Sequence, residues 1–201
     1  MCTAVYRKSA LSDEEITAIH EAASNARASA RATLRRSAKG GGEHAQTWLQ
    51  ASCVEEFLTP AFHSCIRKLI AIMHEADRAS GWGLLSSEGD LRGGDVQQSS
   101  IRCIEFHEIE ASGVRSKSGV ATGASSAAHY DPGSLVTLDA MLSARGAFEG
   151  GTFTTPEADG STTVHDFQRG DVICFVSHKY HHALPVTAGR REVLVIELWA
   201  G

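Results

Sequence analysis

The sequence contains no run of about 18 apolar residues, the length a helix needs to cross a bilayer, so no membrane span is expected. Its first residues, Met-Cys-Thr-Ala-Val-Tyr-Arg-Lys, lack the apolar stretch of a secretory signal, which points to a cytoplasmic location. A basic excess is also missing. With 24 acidic and 19 basic residues the formal charge is −5, so there is no global field for wrapping nucleic acid, and no such partner is expected. Arg27, Arg31, Arg35 and Arg36 cluster locally and read as one solvated helix face. The five cysteines, Cys2, Cys53, Cys65, Cys103 and Cys174, are odd in number and show no Cys-x-x-Cys spacing, which argues against a disulfide framework or a structural zinc site. Cys65, Cys103 and Cys174 lie in apolar periodic segments and read as small core residues. Lys39-Gly-Gly-Gly42 lacks the following Gly-Lys-Ser/Thr of a phosphate loop and reads as a mobile break.

What is present suits one well-packed domain: 201 residues, 42% hydrophobic and 21% charged. Residues 1–100 read as a helical support region and 101–201 as a β-rich core. Ser12-Asp-Glu-Glu15 is a capping box. Behind it Ile16, Ile19, Ala23, Ala26, Ala30 and Leu34 recur at helical spacing, predicting a helix to about residue 36. Thr59-Pro60 starts a second helix, with Phe62, Ile66, Leu69, Ile70, Met73 and Ala76 on one face and a stop at Ser80-Gly81. His63 and His74 on that helix read as solvated or capping. From residue 101 the period shifts to two. Ile101 to Ile109 reads as a strand, and the small-residue stretch 110–128 as a lid, with simple disorder as the other reading. Short strands follow at Ser134–Leu142, Gly151–Thr155, Thr162–Phe167, Asp171–Val176, His182–Val186 and Glu192–Trp199. This mainly β chain with N-terminal helices, of α+β class, is expected to form a sandwich or barrel.

The chemistry centres on His129-Tyr-Asp131. By chance alone about 0.45 His-x-Asp pairs are expected from ten His in 201 residues, so context carries the weight. In an extended strand residues i and i+2 share a face, which aims one imidazole and one carboxylate at one point. A distant third ligand, from His178, His181 or His182, would complete two His and one carboxylate, a set that leaves positions open on a non-haem Fe(II).

These residues and those after them resemble the Fe(II)/2-oxoglutarate-dependent oxygenases, in particular the prolyl 4-hydroxylase and lysyl hydroxylase branch. That branch carries His-x-x-x-Pro-Val with a basic residue ten positions after the His. Here His181, Pro185 and Arg191 match. Phe148-Glu-Gly150-Gly151, Arg169-Gly-Asp171 leading into Val172-Ile-Cys-Phe175, and the closing Val193 to Trp199 fall in family order, so the resemblance covers roughly residues 101–199. It implies a double-stranded β-helix, the jelly-roll, with His129, Asp131 and His181 as catalytic iron ligands. It further implies Fe(II) as metal, 2-oxoglutarate as cosubstrate held by Arg191, and ascorbate as a further candidate cofactor. Arginine suits the role, because its planar guanidinium makes paired charge-assisted hydrogen bonds and keeps its proton.

Two departures from the family pattern stand out. Gly150-Gly-Thr-Phe-Thr-Thr-Pro156 places Phe153 where the family has threonine, leaving Thr155 as a candidate hydroxyl for the cosubstrate. Phe106 replaces a frequent tyrosine, removing a hydroxyl from the expected cosubstrate pocket. The implied reaction uses O2, releases succinate and CO2, and hydroxylates an unactivated C–H bond. With Asp131 rather than a small residue, hydroxylation is expected instead of halogenation. The wording of the motif favours a prolyl or lysyl side chain of a protein or peptide. A free amino acid or other small molecule, a cupin-like enzyme independent of 2-oxoglutarate, and a catalytically silent metal-binding jelly-roll are the alternatives.

Overall fold

The computed structural model describes residues 4–28, 34–39, 42–49, 59–85, 101–115, 121–123 and 128–200. In chain order these form β1 (Val5–Arg7), α1 (Asp13–Ala28), β2 (Leu34–Lys39), β3 (Gly42–Trp48), α2 (Pro60–Ser80), β4 (Ile101–Arg115) and β5 (Ala121–Gly123). Then come β6 (Val136–Met141), β7 (Phe148–Gly150), β8 (Phe153–Pro156), β9 (Thr162–His165), β10 (Val172–Val176), β11 (His182–Ala183) and β12 (Val186–Leu198). The described helices include none long and apolar enough to cross a membrane.

Both helix starts follow from their caps. The Ser12 amide donates to the Glu15 carboxylate at 2.8 Å and the Glu15 amide to Ser12 Oγ at 3.2 Å. Thr59 Oγ1 accepts from the Phe62 amide at 3.2 Å, and Gly81, left-handed at φ 65°, closes α2. The first helix, however, ends at Ala28 rather than near residue 36. Leu34, Arg35 and Arg36 belong to β2, which pairs with β3 in a register that sets Lys39 opposite Gly42. Helix preference in such a run is worth only tenths of a kcal/mol per residue (about 0–0.7), and the ladder to β3, itself paired with β4, outweighs it. Residues 1–100 are therefore not only helical support, because β1, β2 and β3 join the large sheet. His74 is buried rather than solvated, while His63 is exposed.

The large antiparallel sheet runs β1-β10-β6-β12-β4-β3-β2, with β5 on β4 and β7 on β12; the small sheet runs β11-β8-β9. Strand alternation gives the large sheet two unlike faces. Its outer face carries Leu138, Ala140, Cys174, Leu194, Ile196 and Phe106, packed with Ile16 and Ile19 of α1 and Leu69, Ile70 and Met73 of α2. Its inner face carries Met141, Ile173, Phe175 and Val193, packed with Phe153 of the small sheet and Phe167. Each such side chain contributes about 1.5–3 kcal/mol when fully buried. Cys65 and Cys174 are free core thiols whose pKa burial pushes up to about 12, and Cys103 is buried and free as well. Cys2 and Cys53 lie outside the described residues.

The strand expected to end at Ile109 continues to Arg115, because β12 and β3 both pair with it as far as Glu110 and β5 pairs beyond, at Ala111 and Arg115. Much of the expected lid is thus a strand pair, and its residues 116–120 and 124–127 lie outside the described residues. β12 also begins at Val186, not Glu192, which places Arg191 inside a ladder rather than ahead of one.

Candidate functional site

The predicted strand at His129 reduces to a single antiparallel bridge. The His129 amide donates to the His181 carbonyl at 3.0 Å and the His181 amide to the His129 carbonyl at 2.8 Å. Those two bonds bring the imidazoles together, ring centroids 4.5 Å apart. The chain then turns at Pro132-Gly133, and the Asp131 amide donates to the Ser177 carbonyl at 2.9 Å. Asp131 Oδ1 lies 3.6 Å from His129 Nε2 and 3.7 Å from His181 Nε2. Among the described residues these three form a group whose potential ligand atoms all lie within 4.8 Å of one another.

His178 and His182 go elsewhere. His178 stacks on Tyr130, and His182 Nδ1 sits 3.1 Å from Thr154 Oγ1. His181 is oriented by its own loop, because Nδ1 donates to the Lys179 carbonyl at 3.0 Å and leaves the Nε2 lone pair facing Asp131. The rings of Phe175 and Phe153 pack on it, with centroids 4.8 and 5.6 Å away. Asp131 Oδ2 accepts from Thr137 Oγ1 at 2.7 Å, and Thr137 meets Ser177 Oγ at 2.8 Å. Burial holds the Asp131 carboxyl above its ordinary range, with the His181 imidazole and the Thr137 hydroxyl opposing. Two imidazoles and one carboxylate fit a divalent first-row metal in octahedral geometry with open positions. The open side is that of His129, whose side chain is about half exposed while Asp131 and His181 are buried.

Arg191 stands on the inner face of β12, opposite Ile109 of β4. It is 3% exposed, and its Nε and Nη2 have no hydrogen-bond partner. A buried guanidinium with two unmet donors is a receptor for an anion with paired oxygens. Burial pushes its pKa down to about 10, with nearby Asp139 opposing, so it remains cationic at neutral pH. The glycine pair makes room for it. A Cβ on Gly151, at φ +63°, would lie 2.8 Å from Arg191 Cδ, and one on Gly150, at φ +74°, would lie 2.3 Å from the Pro185 carbonyl. A cavity of about 340 Å³ opens here, lined by Arg191, Gly151, Met141, Phe148, Phe153 and Phe167 among others. His129, Asp131 and His181 are not among its lining residues. Phe153 connects the two regions, lining the cavity and packing against His181.

Thr155 is buried on the same face of β8 as Phe153. Its hydroxyl donates to Glu157 Oε1 at 2.8 Å and lies 2.8 Å from His165 Nε2, while the Tyr6 hydroxyl meets His165 Nδ1. Burial lowers the His165 pKa, which suits this neutral relay. Phe106 does not face the pocket. It packs against the helices, edge-on to His20 and beneath Arg27, because its neighbours Glu105 and His107 hold the inward positions of β4. The absent hydroxyl at Phe106 therefore removes nothing from the face that carries Arg191.

Sequence reasoning missed Asp139, Thr137 and Ser177. The alternation Thr137, Asp139, Met141 along β6 was the signal for the first two, since polar residues at inward positions of a core strand need a purpose. Burial raises the Asp139 carboxyl above its ordinary range, against the charges of His181 and Arg191.

No family model matches the chain, and no curated protein is detectably similar to it. Solved structures are. A prolyl-4-hydroxylase from Pseudomonas putida is 14% identical with a TM-score of 0.63, over 100% of this chain and 95% of that one. An oxidoreductase of the 2OG-Fe(II) oxygenase family from Burkholderia pseudomallei is 16% identical with a TM-score of 0.59, over 98% and 85%. A non-heme alpha-ketoglutarate-dependent epimerase of nogalamycin biosynthesis is 15% identical with a TM-score of 0.59, over 98% and 77%. Across nearly its whole length, then, this chain has the fold of the 2OG-Fe(II) oxygenases.

Proposed function

We propose that this chain is an Fe(II)- and 2-oxoglutarate-dependent dioxygenase of the prolyl 4-hydroxylase-like branch, with a double-stranded β-helix core, that hydroxylates an unactivated C–H bond. The observation that carries the reading is the pairing, inside one such fold, of the His129–Asp131–His181 cluster with a buried Arg191 whose Nε and Nη2 lack partners. His129, Asp131 and His181 would hold the iron, Thr137 and the Lys179 carbonyl would keep the carboxylate and imidazole in place, and Arg191 would bind the carboxylate of 2-oxoglutarate far from the metal. Thr155 stands behind the cavity lining, where its hydroxyl holds His165, which does line the cavity, so its part in the cosubstrate pocket would be through His165. Bound iron supplies dioxygen activation coupled to decarboxylation of 2-oxoglutarate to succinate and CO2. Phe153 and Phe175 pack on the buried His181 ring and keep water from it, which strengthens its electrostatic contacts.

The substrate is a prolyl or lysyl side chain of a peptide. Support comes from the rim beside half-exposed His129, where Tyr130, His178 and Tyr180 form an aromatic group with Tyr130 and Tyr180 5.3 Å apart. A small molecule is the second reading, favoured by the likeness to an epimerase of nogalamycin biosynthesis, at a TM-score of 0.59. Succinate release by the iron-loaded protein, measured against prolyl and lysyl peptides and free amino acids, tests both. Stimulation by peptides supports the first reading and stimulation by free amino acids alone the second. No succinate from any of them, with iron bound, would oppose the enzyme reading.

A further inference from the structure

Asp139 stands on the inner face of β6, opposite Ile173 of β10 and Val195 of β12. Arg191 lies on the same face of β12, with Val193 the inward residue between it and Val195, and Met141, next inward on β6, lines the Arg191 cavity. The acid is therefore placed along the path that joins the metal cluster to the guanidinium. The charged groups acting on it are His181, Arg191, Asp131 and His107 of β4; inward-facing Glu105 of β4, across Val195 from it, is paired with His107 at 2.7 Å, and β10 presents only apolar Ile173 across the ladder.

A divalent cation on the cluster, offset by Asp131 and joined by Arg191, leaves this interior with two positive charges, which one 2-oxoglutarate dianion balances. An ionised Asp139 would leave a negative charge over in a closed interior, where an unpaired charge is costly. Resting on the dioxygenase reading above, we propose that Asp139 is a second recognition residue of the cosubstrate pocket: beside Arg191 it acts as a neutral acid donating a hydrogen bond to the bound dianion, which enters with one proton. The proton comes from solvent and stays on Asp139; no covalent bond changes. Its burial, which already disfavours the ionised form, works in the same direction.

The test is calorimetric titration of 2-oxoglutarate, and of pyruvate as the oxoacid without the distal carboxylate, into the Mn(II)-loaded protein between pH 6 and 8. In the parent protein, 2-oxoglutarate affinity should fall as pH rises, by up to about tenfold per unit, as one linked proton requires. Asp139→Asn, which keeps a donor and no charge, should bind as tightly as the parent at low pH and stay tight at pH 8. Asp139→Leu should also lose the pH dependence but bind about tenfold more weakly than the Asn variant, having lost a hydrogen bond to a charged group. Pyruvate binding should not respond to Asp139→Asn. Parallel pH dependence in the parent and Asn variants, or Leu binding as well as Asn, would overturn the role of Asp139 while leaving the dioxygenase reading intact. No 2-oxoglutarate binding by the metal-loaded parent protein at any pH would overturn both.

Discussion

Replacing Arg191 by Met should separate cosubstrate recognition from folding. The guanidinium is 3% exposed and its Nε and Nη2 are unpartnered, so in the ligand-free protein it is a buried charge with incomplete compensation. Methionine fills similar volume without that charge, and replacing a buried ionic group by an apolar one is commonly neutral or stabilising. The thermal midpoint of Arg191→Met should therefore equal or exceed that of the parent. For 2-oxoglutarate the effect is opposite. Two charge-assisted hydrogen bonds at about 1.5–3 kcal/mol each give a loss of about 3 kcal/mol or more, about 10²-fold or greater in affinity. Fe(II) affinity should stay within a few-fold, since the proposed metal ligands come from other segments. Anaerobic titrations of iron and of 2-oxoglutarate on both proteins measure this. An equal loss of both ligands, or 2-oxoglutarate affinity within a few-fold of the parent, would refute the reasoning.

Asp131→Ala should abolish iron-dependent turnover, and Thr137→Val, which removes the hydroxyl donating to Asp131 Oδ2, should weaken metal affinity about 10–100-fold with the fold retained, as equilibrium dialysis would show. Gly151→Ala places a methyl 2.8 Å from Arg191 Cδ at φ +63°; it should cost about 1–3 kcal/mol in denaturant melts and weaken 2-oxoglutarate binding by shifting the guanidinium. Asp171 has a depressed pKa because Lys8 and the Gln168 and Ser9 amides outweigh the opposing effect of its burial. Its stabilisation is then present above its ordinary value of 3.8 and lost as pH falls through the lower folded value. Melts between pH 2 and 6 should show the parent losing more stability than Asp171→Asn on acidification; equal slopes would contradict the ion-pair account.

The cluster was legible because its residues sit in short motifs whose spacing survives irregular backbone. His129 and Asp131 converge even though the predicted strand is only one bridge, since the bridge partner is His181 itself. The choice among His178, His181 and His182 rested on the family resemblance, which Pro185 and Arg191 match only from His181, and the structure places His181 in the group of three. The N-terminal half was harder to read. Ala30 and Leu34 continued a helical stripe, yet the Leu34 segment is drawn into a ladder with β3, a non-local pairing that propensity does not record. Phe106 was misplaced for a related reason: one residue of register flips a strand side chain to the other face, and only the pairing with β12 reveals that Glu105 and His107 face inward. Asp139 escaped notice because a lone acid in Val136-Thr-Leu-Asp-Ala-Met141 matches no motif, and its meaning depends on Arg191, which is distant in sequence.

The most direct test is anaerobic addition of Fe(II) and then 2-oxoglutarate to the purified protein, followed by visible absorption, with folded His181→Ala as control. A charge-transfer band that requires both additions and is absent from the variant is the predicted result, because it reports 2-oxoglutarate chelated to iron on this cluster. A folded protein that binds iron but develops no band would contradict the account and favour a silent metal-binding protein or a cupin-like enzyme.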